Sequence, residues 1–468
     1  AHPRSNTSWK TPYSTVGVRE NRTIGDQNKR MKWRSSRSES PAGQTNKPTR
    51  QTTVRRSIAY LTGGGLISTV LYALGGLLIG RLVDPATLGL FNGIGLILTY
   101  AAIGQFGIFS GLSRELPYYI GKGNRPRAEE LASVAQAWAL MVGGVVFVAL
   151  TGVSAWQLAQ GDLWRAAGWF TNALLALQLF YTTYLQVTYR TAHDFARVAL
   201  IRVVVQTALV LLLLLVIPLD FYGLCLRALL AGALNVALLV YWRPTRVGPR
   251  WNVSNFMHLL RIGLPIFIVG QVLAYWDVID QTLVLKLGGV RMMGLYSMAI
   301  MVSSAVDTLP GAISQVFFPR MAEQFGRGYS VRELMGSIAR PMLVTTAAAI
   351  PLLVAAWFLI GPLIRILIPQ YTDAVPAIQW ALAGCFLTCF EPAINIFTVV
   401  RRQFLRLVGT LMGVAAYAGS LAWLIHDGVR LTAFPQAMLI GRFVYVVVCY
   451  FSIYYLMRRE RETPRPAA

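Results

Sequence analysis

The feature that most constrains this chain is a succession of apolar runs that begins at Ser57 and continues almost to the C-terminus. Each run is about 20 residues long, and a helix of that length rises about 30 Å, enough to cross the hydrocarbon core of a bilayer. Twelve runs are read, near 58–80, 90–112, 132–156, 166–188, 198–217, 221–242, 262–284, 293–317, 337–361, 375–399, 407–426 and 433–456. In lipid the backbone must satisfy its own hydrogen bonds, so runs of this length read as helices. The expected fold class is an all-α polytopic membrane protein with twelve transmembrane helices.

Composition agrees. Charged residues make up only 13% of the chain, against roughly 25% in an average soluble protein. The net charge of +23 could suggest a nucleic-acid partner, but its distribution argues against one. The first 56 residues hold 13 of the 43 basic and three of the 20 acidic residues, which is +10 for that segment alone (13 − 3). Most of the remainder sits in short connections between apolar runs, where basic residues orient a membrane protein. With the N-terminus placed in the cytoplasm, the even-numbered connections and the C-terminal tail carry 21 basic residues, and the odd-numbered ones carry six. A missed span would scramble that alternation.

The expected domains follow. Residues 1–56 form a basic cytoplasmic tail, rich in Ser, Thr and Asn and without apolar periodicity, hence disordered. Met31-Lys32-Trp33 has the form of an ordinary start, so part of this leader is expected to be an artefact of where the sequence begins. Residues 57–242 form an N-terminal six-helix bundle, and 243–261 a cytoplasmic linker. Within the linker Phe256, Leu259 and Leu260 make one face of a short interfacial helix. Residues 262–457 form a C-terminal six-helix bundle, and 458–468 a second cytoplasmic tail.

An internal repeat supports the division. Gly89-Leu90-Phe91 reappears as Gly294-Leu295-Tyr296, and the end of the first copy at Gly121 reappears at Gly326. Both offsets are 205 (294 − 89 and 326 − 121). Duplicated halves in an apolar chain are the mark of a transporter repeat.

Charges inside the apolar runs are the candidate functional groups, because each costs at least roughly 2.5–3.5 kcal/mol at the bilayer centre unless it meets water or a partner. Three are basic: Arg202, Arg227 and Arg442. Four are acidic: Asp277, Asp280, Asp307 and Glu391. Asp277 and Asp280 share one side of a helix and would repel each other without a cation, a proton or an arginine between them. Two readings stand together, a coupling-ion or proton site including Glu391 and a structural ion pair with Arg442 or another span. Arg202 lies near a span end and is expected to snorkel. Arg227 and Arg442 lie deeper, where each would attract an anionic phosphate or pair with a carboxylate. Arg114, at the membrane entrance, joins them as a candidate for a phosphate-bearing headgroup, beside Tyr118, Tyr119, Lys122, Arg125 and Arg127. Those loop residues also read as an ordinary interfacial anchor.

Pro265, Pro310-Gly311, Pro351 and Pro392 are expected to break spans in the second half. Gly76 and Gly80 allow close helix approach. Cys225, Cys385, Cys389 and Cys449 fall in apolar runs and read as packing residues, since no His or further Cys completes a metal set. No phosphate-cradling Walker loop is present.

Gly89-Leu90-Phe91, Arg114-Glu115-Leu116-Pro117, Gly121-Lys122-Gly123, Arg261-Ile262-Gly263-Leu264-Pro265 and the run from Pro310 to Arg320 resemble the polysaccharide-biosynthesis flippases. These belong to the multidrug/oligosaccharidyl-lipid/polysaccharide exporter superfamily, and the resemblance covers about residues 57–457. It implies two six-helix bundles around a central cavity that opens to each side in turn. It also implies translocation of undecaprenyl-diphosphate-linked oligosaccharide across the bacterial inner membrane for O-antigen, capsule or exopolysaccharide assembly. No cofactor is implied beyond a possible Na⁺ or H⁺ coupling ion, with family cation sites in the second bundle. The implied partners are the lipid-linked oligosaccharide, membrane lipids, and a polysaccharide polymerase with its chain-length machinery. A multidrug cation antiporter of the same superfamily is the alternative. A membrane glycosyltransferase or polymerase fits less well, because the outward loops are short and carry only isolated acids such as Asp84 and Asp162.

Overall fold

The computed structural model describes residues 50–400 and 402–462. Residues 1–49, Arg401 and 463–468 lie outside the described residues, and with them most of the expected N-terminal tail and the end of the C-terminal one. The described residues form twelve helices and no strand. Helix α1 is Arg50–Leu82. Helix α2 has two pieces, Pro85–Ala101 and Ile108–Gly121, joined by a tighter turn at Ala102–Gln105. Helix α3 is Arg125–Ala159 and α4 is Leu163–Thr191. Helix α5 begins as Phe195–Leu211 and passes through the turn Leu212–Leu215 to position 219, and α6 covers 221–241. They are parted only by Asp220, whose φ of 45° is unfavourable for a residue with a side chain. Helices α7 (253–288) and α8 (290–326) are parted only by Gly289, at φ 78°, where a glycine carries no steric cost. Helix α9 is Val331–Leu367; α10 comprises Val375–Thr388, Glu391–Ile394 and Ile396–Val399; α11 is Gln403–Leu424 and α12 is Ala433–Glu462.

The twelve helices fall into two bundles, α1–α6 and α7–α12, and the repeat governs their bounds. Adding 205 to 85 and 121, the ends of α2, gives 290 and 326, the ends of α8. The same shift moves α1 from 50–82 to 255–287, beside the observed 253–288 of α7.

Residues equivalent in the repeat also touch. A Cβ added at Gly89 would press on the Val290 carbonyl and lie 2.7 Å from the Gly294 nitrogen. One added at Gly294 would press on the Pro85 carbonyl, and Pro85 is the repeat equivalent of Val290. One turn further on, Asn92 Nδ2 donates to Ser297 Oγ at 2.8 Å, again a pair separated by 205. The two halves therefore meet across a local two-fold relation, with two glycines letting the backbones approach. Gly76 lies against Met301 of α8 and Gly80 against Ile368, so the expected close approach of α1 is made with the second half.

Three expectations are corrected. The helix begins at Arg50, so residues 50–56 of the expected tail are the first turns of α1. The linker does not form a separate interfacial helix: from Val253 the chain runs unbroken into α7. Leu259 there is fully buried in the core of the first bundle, with Leu112, Leu131 and Tyr184. Its apolar face meets protein instead of lipid, helped by the Trp138, Trp251 and Phe256 rings. The third correction concerns the prolines. α7, α8 and α9 stay helical through Pro265, Pro310 and Pro351, whereas α10 is interrupted at Cys389-Phe390, just before Pro392, with a bend of 43°. One missing amide is tolerated when the helix is held from both sides, and proline's φ is itself helical.

Candidate functional site

The four interior acids and Arg442 all lie in the second bundle, and four of these five side chains line one cavity of 220 Å³. Helix α7 supplies Asp277, Asp280 and Gln281; α8 supplies Tyr296, Ser303, Ser304 and Asp307; α10 contributes Ala381 and Gly384; α12 contributes Arg442. The small residues of α10 leave room where larger ones would fill the space.

Each charged group is held differently. Arg442 Nη2 donates to Asp277 Oδ1 at 3.3 Å, with the Asp277 side chain 59% exposed and that of Arg442 21%. Asp280 is 2% exposed and accepts from two phenols, Tyr296 and Tyr417, the latter at 2.8 Å. Asp307 Oδ1 accepts from Thr388 Oγ1 at 2.9 Å. Fully ionised, three acids and one arginine leave the cavity at −2 (−3 + 1). An acidic chamber of this volume has room for a hydrated cation.

The remaining sequence candidates lie elsewhere. Glu391 stands at the α10 break, half-buried, and makes no hydrogen bond or ion pair within 4.0 Å among the described residues. Arg227 is half-buried on α6 and its Nε donates to the Leu209 carbonyl of α5 at 2.8 Å, so it holds a helix pair instead of facing the acids. Arg114 is exposed at the far end of α2. Next to it Glu115 is buried and bonded to His258 Nε2 of α7 at 3.1 Å. Arg114, Arg227 and Arg442 are thus not brought together. Arg202 is exposed, as snorkelling requires. All four cysteines are buried.

Sequence reasoning missed Tyr296, Tyr417 and Arg406. The last stands just outside the apolar run 407–426, yet its Nε donates to Tyr445 Oη at 3.3 Å and its Nη1 reaches Asn395 Oδ1 at 3.5 Å. Tyr296 carried a legible signal, since it replaces Phe91 in the repeat. The same comparison explains why the site exists in one half only: the equivalents of Asp277, Asp280 and Asp307 are Tyr72, Gly75 and Ala102.

The fold is shared with known transporters. It is similar to an inward-facing conformation of a multidrug resistance MATE family transporter of the MOP superfamily, with a TM-score of 0.70 and 16% identity, covering 85% of this chain and 96% of that one. The outward-facing conformation of such a transporter matches with a TM-score of 0.64 and 15% identity, over 87% and 97% of the two chains. A MOP superfamily transporter from Pyrococcus furiosus, described by a reversed polarity of its binding pocket that suggests a different function, matches at 0.59 and 15% identity, over 87% and 97%. At these identities the likeness is one of fold. No curated protein matches the chain in sequence. Residues 119–376, more than half of the chain, match the family described as Polysaccharide biosynthesis protein, and the chain belongs to that family.

Proposed function

We propose that this protein translocates lipid-linked oligosaccharide, carried on undecaprenyl diphosphate, across the bacterial inner membrane by alternating access. The asymmetry of basic residues between connections supports a cytoplasmic location for both termini. The observation that carries the reading is the reciprocal contact of Gly89 and Gly294, in a chain of the polysaccharide biosynthesis family. Two similar bundles that meet through matched surfaces can rock against each other so that one side closes while the other opens. Transport of this kind needs no covalent step. The acidic cavity is proposed as the site of the coupling ion, Na⁺ or H⁺, with Asp277 and Asp307 facing the ion and Asp280 held by its two phenols. Arg442 pairs with Asp277 when the ion is away.

The test is transport of a fluorescent lipid-linked glycan in proteoliposomes under imposed Na⁺ and H⁺ gradients, comparing wild type with Asp277→Asn and Asp280→Asn. Loss of gradient dependence in Asp277→Asn is expected, and unchanged dependence in both variants removes the ion-site assignment. The alternative, a multidrug cation antiporter, is favoured by the net negative charge of the cavity. Efflux of cationic amphiphiles without glycan transport would select it.

A further inference from the structure

The last carbonyls of a helix have no amide partner within it, and when buried they must find one elsewhere. At the end of α1 this concerns Gly80 and Val83, and Val83 is fully buried. Their partners come from the other half. Gln370 Nε2 donates to the Gly80 carbonyl and, at 3.0 Å, to the Val83 carbonyl. The Tyr371 hydroxyl donates to the same Val83 oxygen at 3.0 Å, and Tyr371 is itself fully buried. Both donors sit on the short turn Pro369–Ala374 that leads into α10.

The repeat shows that this clasp is one-sided. The equivalents of Gly80 and Val83 are Leu285 and Gly288, at the end of α7, and among the described residues no side chain donates to either carbonyl. At the start of α4, the counterpart of the turn into α10, Arg165 is engaged with Asp162 at 3.3 Å instead. The Gly89–Gly294 contact is symmetric between the halves, but the clasp was added to one of them.

We propose that Gln370 and Tyr371 form a latch that holds the two halves shut at the Gly89 end, and that this end opens when the three bonds exchange to water. Uncharged donors on backbone carbonyls suit a latch, because water replaces them at a small net cost per bond. The role of the latch in transport rests on the alternating-access reading; its effect on conformation does not.

Val83→Cys places a buried reporter beneath the latch. In purified protein in nanodiscs, open to reagent from both sides, labelling of Val83→Cys by a hydrophilic maleimide is expected to rise about tenfold when Gln370→Leu and Tyr371→Phe are added, and about threefold with Tyr371→Phe alone. The parent with its four buried native thiols sets the background. The single variant loses one oxygen atom and serves where the double one fails to fold. Unchanged labelling in the single variant and, where it folds, the double one overturns the latch. Gly80→Cys with Ile368→Cys joins the same contact, because an added Cβ at Gly80 lies 3.3 Å from the Ile368 side chain. Oxidation should stop glycan transport and a thiol reductant should restore it; undiminished transport by the crosslinked protein also overturns the proposal. Raised labelling with no glycan transport by any form leaves the latch standing and overturns the flippase reading alone.

Discussion

Gly294→Ala tests whether the two halves meet as described. A Cβ there would lie 2.6 Å from the Pro85 carbonyl carbon and closer still to its oxygen, at least about 1 Å inside the roughly 3.5–4.0 Å of an optimal contact. Both neighbours are helix backbone, so relief requires α2 and α8 to separate by at least about that 1 Å. The same movement takes the 2.8 Å Asn92–Ser297 bond to at least about 3.8 Å, past the roughly 3.2 Å limit of a sound hydrogen bond. Overpacking costs about 1–3 kcal/mol and the lost bond about 1 kcal/mol, offset by about 1 kcal/mol from alanine's better helix propensity. The net loss is therefore about 1–3 kcal/mol. Gly95→Ala, on the facing helix α2 with nothing within 4 Å of the added Cβ, is the control and should be neutral or slightly stabilising. Thermal unfolding of the purified protein in detergent or nanodiscs reads the difference. Combining Gly89→Ala with Gly294→Ala should cost less than the sum, since one separation relieves both clashes. Equal melting temperatures for Gly294→Ala and Gly95→Ala would refute the contact.

Three further outcomes are expected. Tyr417→Phe removes one of the two phenols on the buried Asp280 carboxylate and should lower stability by about 1.5–3 kcal/mol; a loss below about 0.5 kcal/mol in thermal or denaturant unfolding would show that Asp280 does not depend on this bond. Leu259→Ala opens a void in the core of the first bundle, although the residue belongs to α7, and should cost about 2–5 kcal/mol; limited proteolysis should expose the 243–252 linker first, and cleavage confined to α9 or α10 would contradict this packing. At the start of α9, Ser330 and Glu333 form a reciprocal cap, and the bonds from Ser330 hold the Glu333 carboxyl below its ordinary range. A depressed acid stabilises above its unfolded value and loses that effect as pH falls through the folded one, so exchange protection of the Val331–Leu334 amides, corrected for intrinsic rates, should fall in acid and do so less in Glu333→Gln.

How much was legible can be judged from particular residues. The helices at 198–217 and 221–242 were separable because Asp220 interrupts two apolar runs, and a charge there has to stand at a membrane boundary. Asp277, Asp280, Asp307 and Arg442 were found by the cost of burying a charge in lipid. That argument says which residues need a partner, not which partner they have. Arg227 met the same criterion and proved to hold a carbonyl of α5. Arg406 failed the criterion because a position near a span end reads as topogenic, and only the fold turns it inward. The prolines misled for a related reason: α7, α8 and α9 are supported by neighbours that sequence periodicity does not reveal.

Apolar length, basic asymmetry and the 205-residue repeat were determined by the sequence alone, because lipid solvation acts on each segment separately and duplication leaves its mark on the chain. Which faces of the helices meet depends on contacts between residues up to 290 positions apart, and such contacts exist only after packing. The tertiary structure alone therefore decided that Gly89 would lie on Gly294, that three of the four interior acids would line one chamber in the second bundle, and that Gln370 and Tyr371 would close over the end of α1.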